Sequence, residues 1–315
     1  MKKFTYTLFL LLLIAITTTA CSGVTPRGNE TQARRFRAPT PFNEVHGHSE
    51  VVPETDVIDG ADNENTDSGV SYTTPRIYTF TEPPEPATTF AESPGEIITP
   101  GMPEPLGRGI DATRPMIALT FDDGPSVYTG RIAELLEEHG GRGTFFVLGN
   151  RVANNRGLIE NLYGNGHEFL GHSWRHSNMI ELSNENIRRE ILDTHAAIEN
   201  VIGTVPRIFR PPFGKFNQRV QDIAAENGFA IVGWEIDTFD WRSRCSDKTY
   251  SVIMSEVSDR TIILMHDIHT ATAQAMETVI PRLVEKGYQL VTVSELMHYT
   301  GRTLQAGGFY SRGNR

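Results

Sequence analysis

The sequence predicts an α/β chain, a distorted (β/α) barrel of about seven parallel strands, preceded by a signal with a lipid anchor and by a disordered linker. Three observations predict it. From Arg114 onward short apolar runs alternate with helical ones, the pattern of βα units around a parallel sheet or barrel. Before that point there is no sustained apolar periodicity, and the 18 prolines concentrate ahead of residue 116, as in segments that cannot bury enough surface to offset their ordering entropy. Polar and charged residues gather at the ends of the apolar runs, where barrels of this class carry their chemistry.

At 315 residues the chain has room for a large folded domain with a real core and no need of covalent staples. Its formal net charge of −10 excludes a nucleic-acid partner, which requires a basic footprint. A neutral or weakly charged glycan is easier to accommodate.

Met1-Lys2-Lys3, the apolar run Leu8 to Ile16 and Thr17-Thr18-Thr19-Ala20-Cys21 supply the charged start, short apolar stretch and small-residue cleavage site of an export signal. The apolar stretch is too short for an ordinary spanning helix. Small residues before Cys21, with Ser22 and Gly23 after it, resemble a bacterial lipobox, although Thr18 stands where that pattern usually has Leu. Residues 1–21 are therefore expected to be a signal peptide ending in a lipidated cysteine, which places the protein on the outer face of the cytoplasmic membrane. Cys245 is the only other cysteine, so a lipid on Cys21 leaves it without a partner in the chain and no structural disulfide is expected.

Residues 22–107 carry acidic stretches (Glu54, Asp56, Asp59, Asp62, Glu64, Asp67) and a Pro/Thr-rich one (Thr81 to Pro86). They read as a tether with a root-mean-square span on the order of 50 Å. The folded domain is expected over 108–300, with a flexible tail over 301–315. Within it, Met116 to Phe121 reads as a strand, Tyr128 to His139 as a helix, Gly143 to Leu148 as a strand, Arg151 to Tyr163 as a helix and Glu168 to His172 as a short strand. Ser183 to Ile202 is the clearest helix, with Ser183 as N-cap and Ile187, Ile191, Ile198 and Ile202 at helical spacing. Strands at Ile208–Pro211, Ala230–Ile236, Thr261–His266 and Gln289–Val293 alternate with helices at Gln218–Asn227, Ser246–Ser258 and Ala271–Lys286.

Five clusters end these strands. Asp122 and Asp123 close the first, followed by Gly124-Pro125; an isolated Asp-Asp-Gly is ordinarily a solvated turn. His172 and His176 stand four apart, a spacing that brings two imidazoles to one face of a helical turn. Taken together, two histidines and a carboxylate form a three-ligand set with open positions, as in hydrolytic zinc sites. The second carboxylate can then serve as a general base. Arg210-Pro211-Pro212-Phe213-Gly214 presents a guanidinium and an apolar ring on a proline-stiffened strand end. Asp237-Thr238-Phe239-Asp240-Trp241 again closes a strand with acids. Leu264-Met265-His266-Asp267 ends the next with an imidazole, whose tautomer and charge an Asp on the neighbouring strand could hold.

These clusters, in this order, resemble the polysaccharide deacetylase family, carbohydrate esterase family 4, and the resemblance runs from about Arg114 to Met297. It implies a distorted (β/α) barrel. It also implies one divalent metal ion, zinc, with cobalt, nickel or manganese as alternatives, bound by Asp123, His172 and His176. Asp122 would be the base, paired with and oriented by Arg210, and His266 the general acid, held by Asp240. Leu264 and Trp241 would line the slot for the acetyl methyl group. Phe213 stands where many members have Tyr, but the role falls to its backbone N–H at the oxyanion. The implied activity is removal of acetyl groups from a glycan, peptidoglycan, chitin or acetyl-xylan alike; the expected tethering at the membrane then favours the N-acetylglucosamine of peptidoglycan first, its N-acetylmuramic acid second, and chitin oligosaccharides after them. An O-acetyl esterase and a non-catalytic wall-binding lipoprotein are the competing functions; the latter would show a broken metal set or a missing base.

Overall fold

The computed structural model describes the two-residue strand Ile97–Ile98 and residues 108–314; the expected signal, Cys21 and nearly all of the tether lie outside them. In chain order the elements are β1 (Ile97–Ile98), β2 (Met116–Asp122), α1 (Thr129–Glu138), β3 (Thr144–Val147), α2 (Gly149–Val152), α3 (Arg156–Gly164) and β4 (Glu168–Gly171). There follow α4 (Asn184–Ile202), β5 (Ile208–Phe209), α5 (Gln218–Glu226), β6 (Ala230–Val232), β7 (Ile236–Asp237), α6 (Asp240–Ser243) and α7 (Ser246–Glu256). The last are β8 (Ile262–His266), α8 (Thr270–Glu285), β9 (Gln289–Val291), α9 (Val293–Tyr299), β10 (Leu304–Gln305) and β11 (Phe309–Tyr310).

Nine strands form one sheet in the order β11-β6-β5-β4-β3-β2-β8-β7, with β9 on the start of β2. Every pairing in it is parallel, as the βα alternation requires. This is the distorted (β/α) barrel expected from the sequence. All seven residues of β2 are buried, because helices cover one face and the barrel interior covers the other.

Side chains alternate along a strand, and the alternation sorts the core. Ile117, Leu119 and Phe121 of β2, with Ile263 and Met265 of β8, pack outward against α1 and α8 through Ile132, Leu136, Met276, Val279 and Leu283. Met116 and Ala118 of β2, with Ile262 and Leu264 of β8, point inward to Val293, Leu296 and Met297 of α9 and to Tyr310. By the same period Asp122 and His266 belong to the inward set, and they are register partners at the tips of adjacent strands. Ser183 caps α4 as expected, accepting the Asn186 N–H at 3.3 Å.

Several sequence expectations need correction. Residues 301–315 were expected to form a flexible tail, yet Leu304 and Tyr310 are buried in the interior cluster and β11 adds a parallel strand to β6; strands of two residues are too short to leave a periodic signal. The strand expected at Ala230–Ile236 is two strands. Its backbone changes partner at Gly233: the Gly233 N–H donates to Tyr310, whereas the Glu235 N–H donates to Ile262. Helix α9 stands where the expected last strand ends, started by a capping box between Thr292 and Glu295. Cys245 is buried and is not a free thiol, contrary to the expectation of an unpartnered cysteine.

Candidate active site

All of the clusters converge at the carboxyl ends of the strands. The backbone turns left-handed directly after β2, with φ of 73° at Asp123, so two adjacent carboxylates diverge. Asp122 stays on the inward face of the strand, buried at 2% exposure. Asp123 swings toward the histidines.

Arg210, with no solvent exposure, meets Asp122 through Nη1, which donates to Oδ1 at 2.6 Å and to Thr120 Oγ1 at 2.9 Å. Its Nε and Nη2 donate to the carbonyls of Val232 and Gly233 at 3.2 and 2.8 Å, and its guanidinium carbon lies 3.9 Å from the centroid of the Phe146 ring. Such a fully engaged guanidinium is fixed in orientation. Burial pushes the Asp122 carboxyl above the ordinary carboxylate range, and the charge of Arg210 opposes the rise.

Asp123, His172 and His176 each offer one ligand atom, and the three atoms lie within 4.8 Å of one another. Asp123 Oδ1 is 3.6 Å from His172 Nε2 and 3.4 Å from His176 Nε2. Two ligands about 2.1 Å from a tetrahedral ion stand about 3.4 Å apart, so the spacing fits a zinc-sized cation. Asp123 Oδ1 is also buried with no hydrogen-bond partner, which leaves it available as a ligand. His172 Nδ1–H donates to the Arg210 carbonyl at 2.8 Å, which turns the Nε2 lone pair to the site, and burial lowers its pKa to about 3. A neutral imidazole is what a metal requires.

The spacing of His172 and His176 suggested a helical turn. They lie on a loop instead, because Ser173 and His176 have φ of 69° and 65°, outside the helical region. The two rings still approach to 5.2 Å between centroids.

Asp240, fully buried, accepts from His266 twice: Nδ1 to Oδ1 and the backbone N–H to Oδ2, both at 2.8 Å. Thr272 Oγ1 and the Trp241 N–H supply further bonds at 2.6 and 2.8 Å. Burial would raise this carboxyl, but the hydrogen bond and charge of His266 and the Thr272 hydroxyl hold it below the usual range. For His266, burial works against the charged form and is outweighed by the Asp240 hydrogen bond and charge, so its pKa rises to about 9. Leu264 is buried one inward step before His266, whereas Trp241 and Phe213 are exposed at 44% and 57%. Phe213 adopts a left-handed φ of 61°, and its ring meets His176 edge-on at 4.5 Å.

Sequence reasoning missed Thr120 and Thr272, whose hydroxyls complete the Arg210 and Asp240 clusters, and Asp267. The Asp267 carboxyl is buried directly beneath Gly124, where an added Cβ would sit 2.4 Å from its Oδ2. The threonines carry no signal in a single sequence; an acid adjoining the strand-end histidine did.

The sequence pattern of the polysaccharide deacetylase family matches residues 109–232. Peptidoglycan-N-acetylglucosamine deacetylase PgdA of Listeria monocytogenes is 38% identical over 199 residues, which is 63% of this chain and 41% of that protein. Among solved structures, one titled as T48 deacetylase with substrate aligns with a TM-score of 0.61 at 34% identity, covering 64% of this chain and all of that one. A family 4 acetyl xylan esterase from Clostridium thermocellum, in complex with a cobalt ion, aligns at 0.59 and 33% identity, covering 62% and 98% of the two chains. The chain belongs to the polysaccharide deacetylase family. It spans less than half the length of the Listeria enzyme that it matches.

Proposed function

We propose that this protein hydrolyses N-acetyl groups on a cell-wall glycan, first of all the N-acetylglucosamine of peptidoglycan, releasing acetate and leaving a free amine. The observation that carries the proposal is the placement, on adjacent strand ends, of a buried carboxylate pinned by Arg210 and an imidazolium pinned by Asp240, with the Asp123-His172-His176 set beside the carboxylate, His172 Nε2 lying 3.6 Å from Asp122 Oδ2. A divalent cation in that set, zinc first and cobalt, nickel or manganese as alternatives, would supply Lewis-acid polarisation of the acyl carbonyl and a lowered pKa for water.

The chain's own groups do the rest. Asp122 takes the proton of the attacking water through Oδ2, the oxygen that Arg210 does not hold, and its raised pKa makes it a stronger base than an ordinary carboxylate. The Phe213 N–H donates to the oxyanion as it forms. His266, protonated at neutral pH, gives its proton to the departing amine, so the products are acetate and a glucosamine-type unit. Leu264 and Trp241 line the slot for the methyl group.

The name of the Listeria relative supports a peptidoglycan substrate, and the export signal with a tether at residues 22–107 supports work at the outer face of the cytoplasmic membrane. Among the described residues no helix is long and apolar enough to cross a membrane. The acetyl xylan esterase among the solved relatives favours a second reading, hydrolysis of O-acetyl groups with the same residues.

Incubating the metal-loaded full-length protein with N-acetylated peptidoglycan fragments, chitin oligosaccharides and O-acetylated xylan, with products identified by mass, decides among these. Loss of acetyl groups from peptidoglycan first is expected. Release from xylan alone would make the protein an esterase, and release from none would leave a non-catalytic role.

A further inference from the structure

The buried face of α4 carries Ile187, Ile191, Thr194 and Ile198, and among them Glu190, 7% exposed. A carboxylate on an apolar helix face survives only when its oxygens are satisfied. Here the donors come from one place. Oε2 accepts the backbone N–H groups of Trp174 and Arg175 at 2.7 and 3.2 Å, and Oε1 accepts the Ser177 hydroxyl at 2.9 Å. Arg175 Nε lies 3.6 Å from Oε1, but that side chain is 70% exposed and contributes little.

The segment so held is the loop between His172 and His176, which contains the left-handed residues Ser173 and His176; such a conformation persists only where its surroundings over-determine it. The opposite side is clamped too. The carbonyls of Ser173 and Trp174 accept the N–H groups of Gly149 and Asn150 at 3.0 and 3.1 Å. Gly149 must be glycine, because an added Cβ would lie 2.4 Å from the Trp174 ring and 2.7 Å from Thr194 Oγ1. His172 has its own anchor in the Arg210 carbonyl. The His176 backbone N–H reaches only Ser173 Oγ, inside the same loop.

We propose that Glu190 is a positioning residue for the metal-ligand loop: its three hydrogen bonds fix the shape that aims His176 at Asp123. This rests on the metal site proposed above. The bonds, not the negative charge, carry the effect. Gln at 190 can accept both N–H groups through its carbonyl oxygen and donate its amide to Ser177 Oγ, whereas Leu leaves all three donors unpaired.

The test uses the full-length chain, stripped of metal by chelation and titrated with Zn²⁺ against a chromophoric competitor, with circular dichroism reporting the fold. Glu190→Leu is expected to weaken zinc binding by about 10–100-fold, while Glu190→Gln stays close to wild type. Should Glu190→Leu fail to fold, Ser177→Ala, which removes one bond, carries the test with a several-fold loss expected. Unchanged affinity in a folded Leu or Ala variant overturns the proposal, since a merely structural role would lower the melting temperature alone. An equal loss in Gln and Leu overturns the hydrogen-bond account. Failure of the wild-type protein to bind zinc withdraws the metal site itself.

Discussion

Asp240→Asn isolates the acid half of the site. Asn retains an oxygen for His266 Nδ1 but removes the charge that, with the hydrogen bond, lifts His266 to about 9 against the opposing effect of its burial. Without that charge His266 falls toward its ordinary value near 6.5, while the charges of Asp122 and Asp123 still act to raise it. At pH 8 an acid of pKa 9 is ~90% protonated and one of pKa 6.5 is ~3% protonated, so the competent fraction falls by up to ~30-fold, whereas at pH 6 the same comparison gives less than about a twofold loss. A cation at Asp123 adds positive charge and lowers both values in the same direction. The assay is kcat/KM for a soluble N-acetylated oligosaccharide between about pH 5.5 and 9.5. The alkaline limb should move toward acid by up to roughly two pH units. Stability follows the same sign: the folded pKa lies above the unfolded one, so the contribution of the pair is complete below about 6.5 and is lost as pH rises through about 9. The stability gap between wild type and variant should narrow across that window. A uniform loss of activity with an unmoved alkaline limb would refute the assignment of His266 as the acid held by Asp240.

Asp122→Asn should retain zinc and lose about 10²–10⁴-fold in turnover, whereas Asp123→Asn and His176→Ala should lose zinc first; equal zinc affinity in all three would undo the division of labour between the adjacent carboxylates. Arg210→Met strands a buried carboxylate and should cost about 3–5 kcal/mol in urea unfolding, much of it restored in the Arg210→Met/Asp122→Leu double variant; a double variant no more stable than the single one would count against the buried pair.

The apolar runs announced the sheet because parallel strands buried on both faces are nearly continuous apolar runs, as Met116 to Phe121 is apart from Thr120. The candidate metal set was visible because such chemistry demands rare side chains at strand ends. What escaped was held by backbone geometry. The spacing of His172 and His176 is compatible with a helical turn, and only the left-handed Ser173 and His176 decide otherwise. Glu190 did leave a trace, an acid three residues from Ile187 on the face of α4 that had to be apolar, but nothing in one sequence says that its partners are the Trp174 and Arg175 N–H groups. The split of the strand after Val232 depends on Arg210 claiming the Val232 and Gly233 carbonyls and on β11 arriving from the end of the chain.

Strand β2 is the first long strand of the sheet in the chain and has three partners, two of which, β8 and β9, follow far later. The Thr120 hydroxyl, for example, reaches the Ile263 carbonyl across 143 residues of sequence. Loops of that size close slowly, and sheets built from distant segments form late in folding. The proposed base and acid ride on this one pairing, Asp122 opposite His266. On the proposed roles a nascent or half-folded chain therefore lacks a working centre, which is assembled only once both ends of the barrel have been brought together.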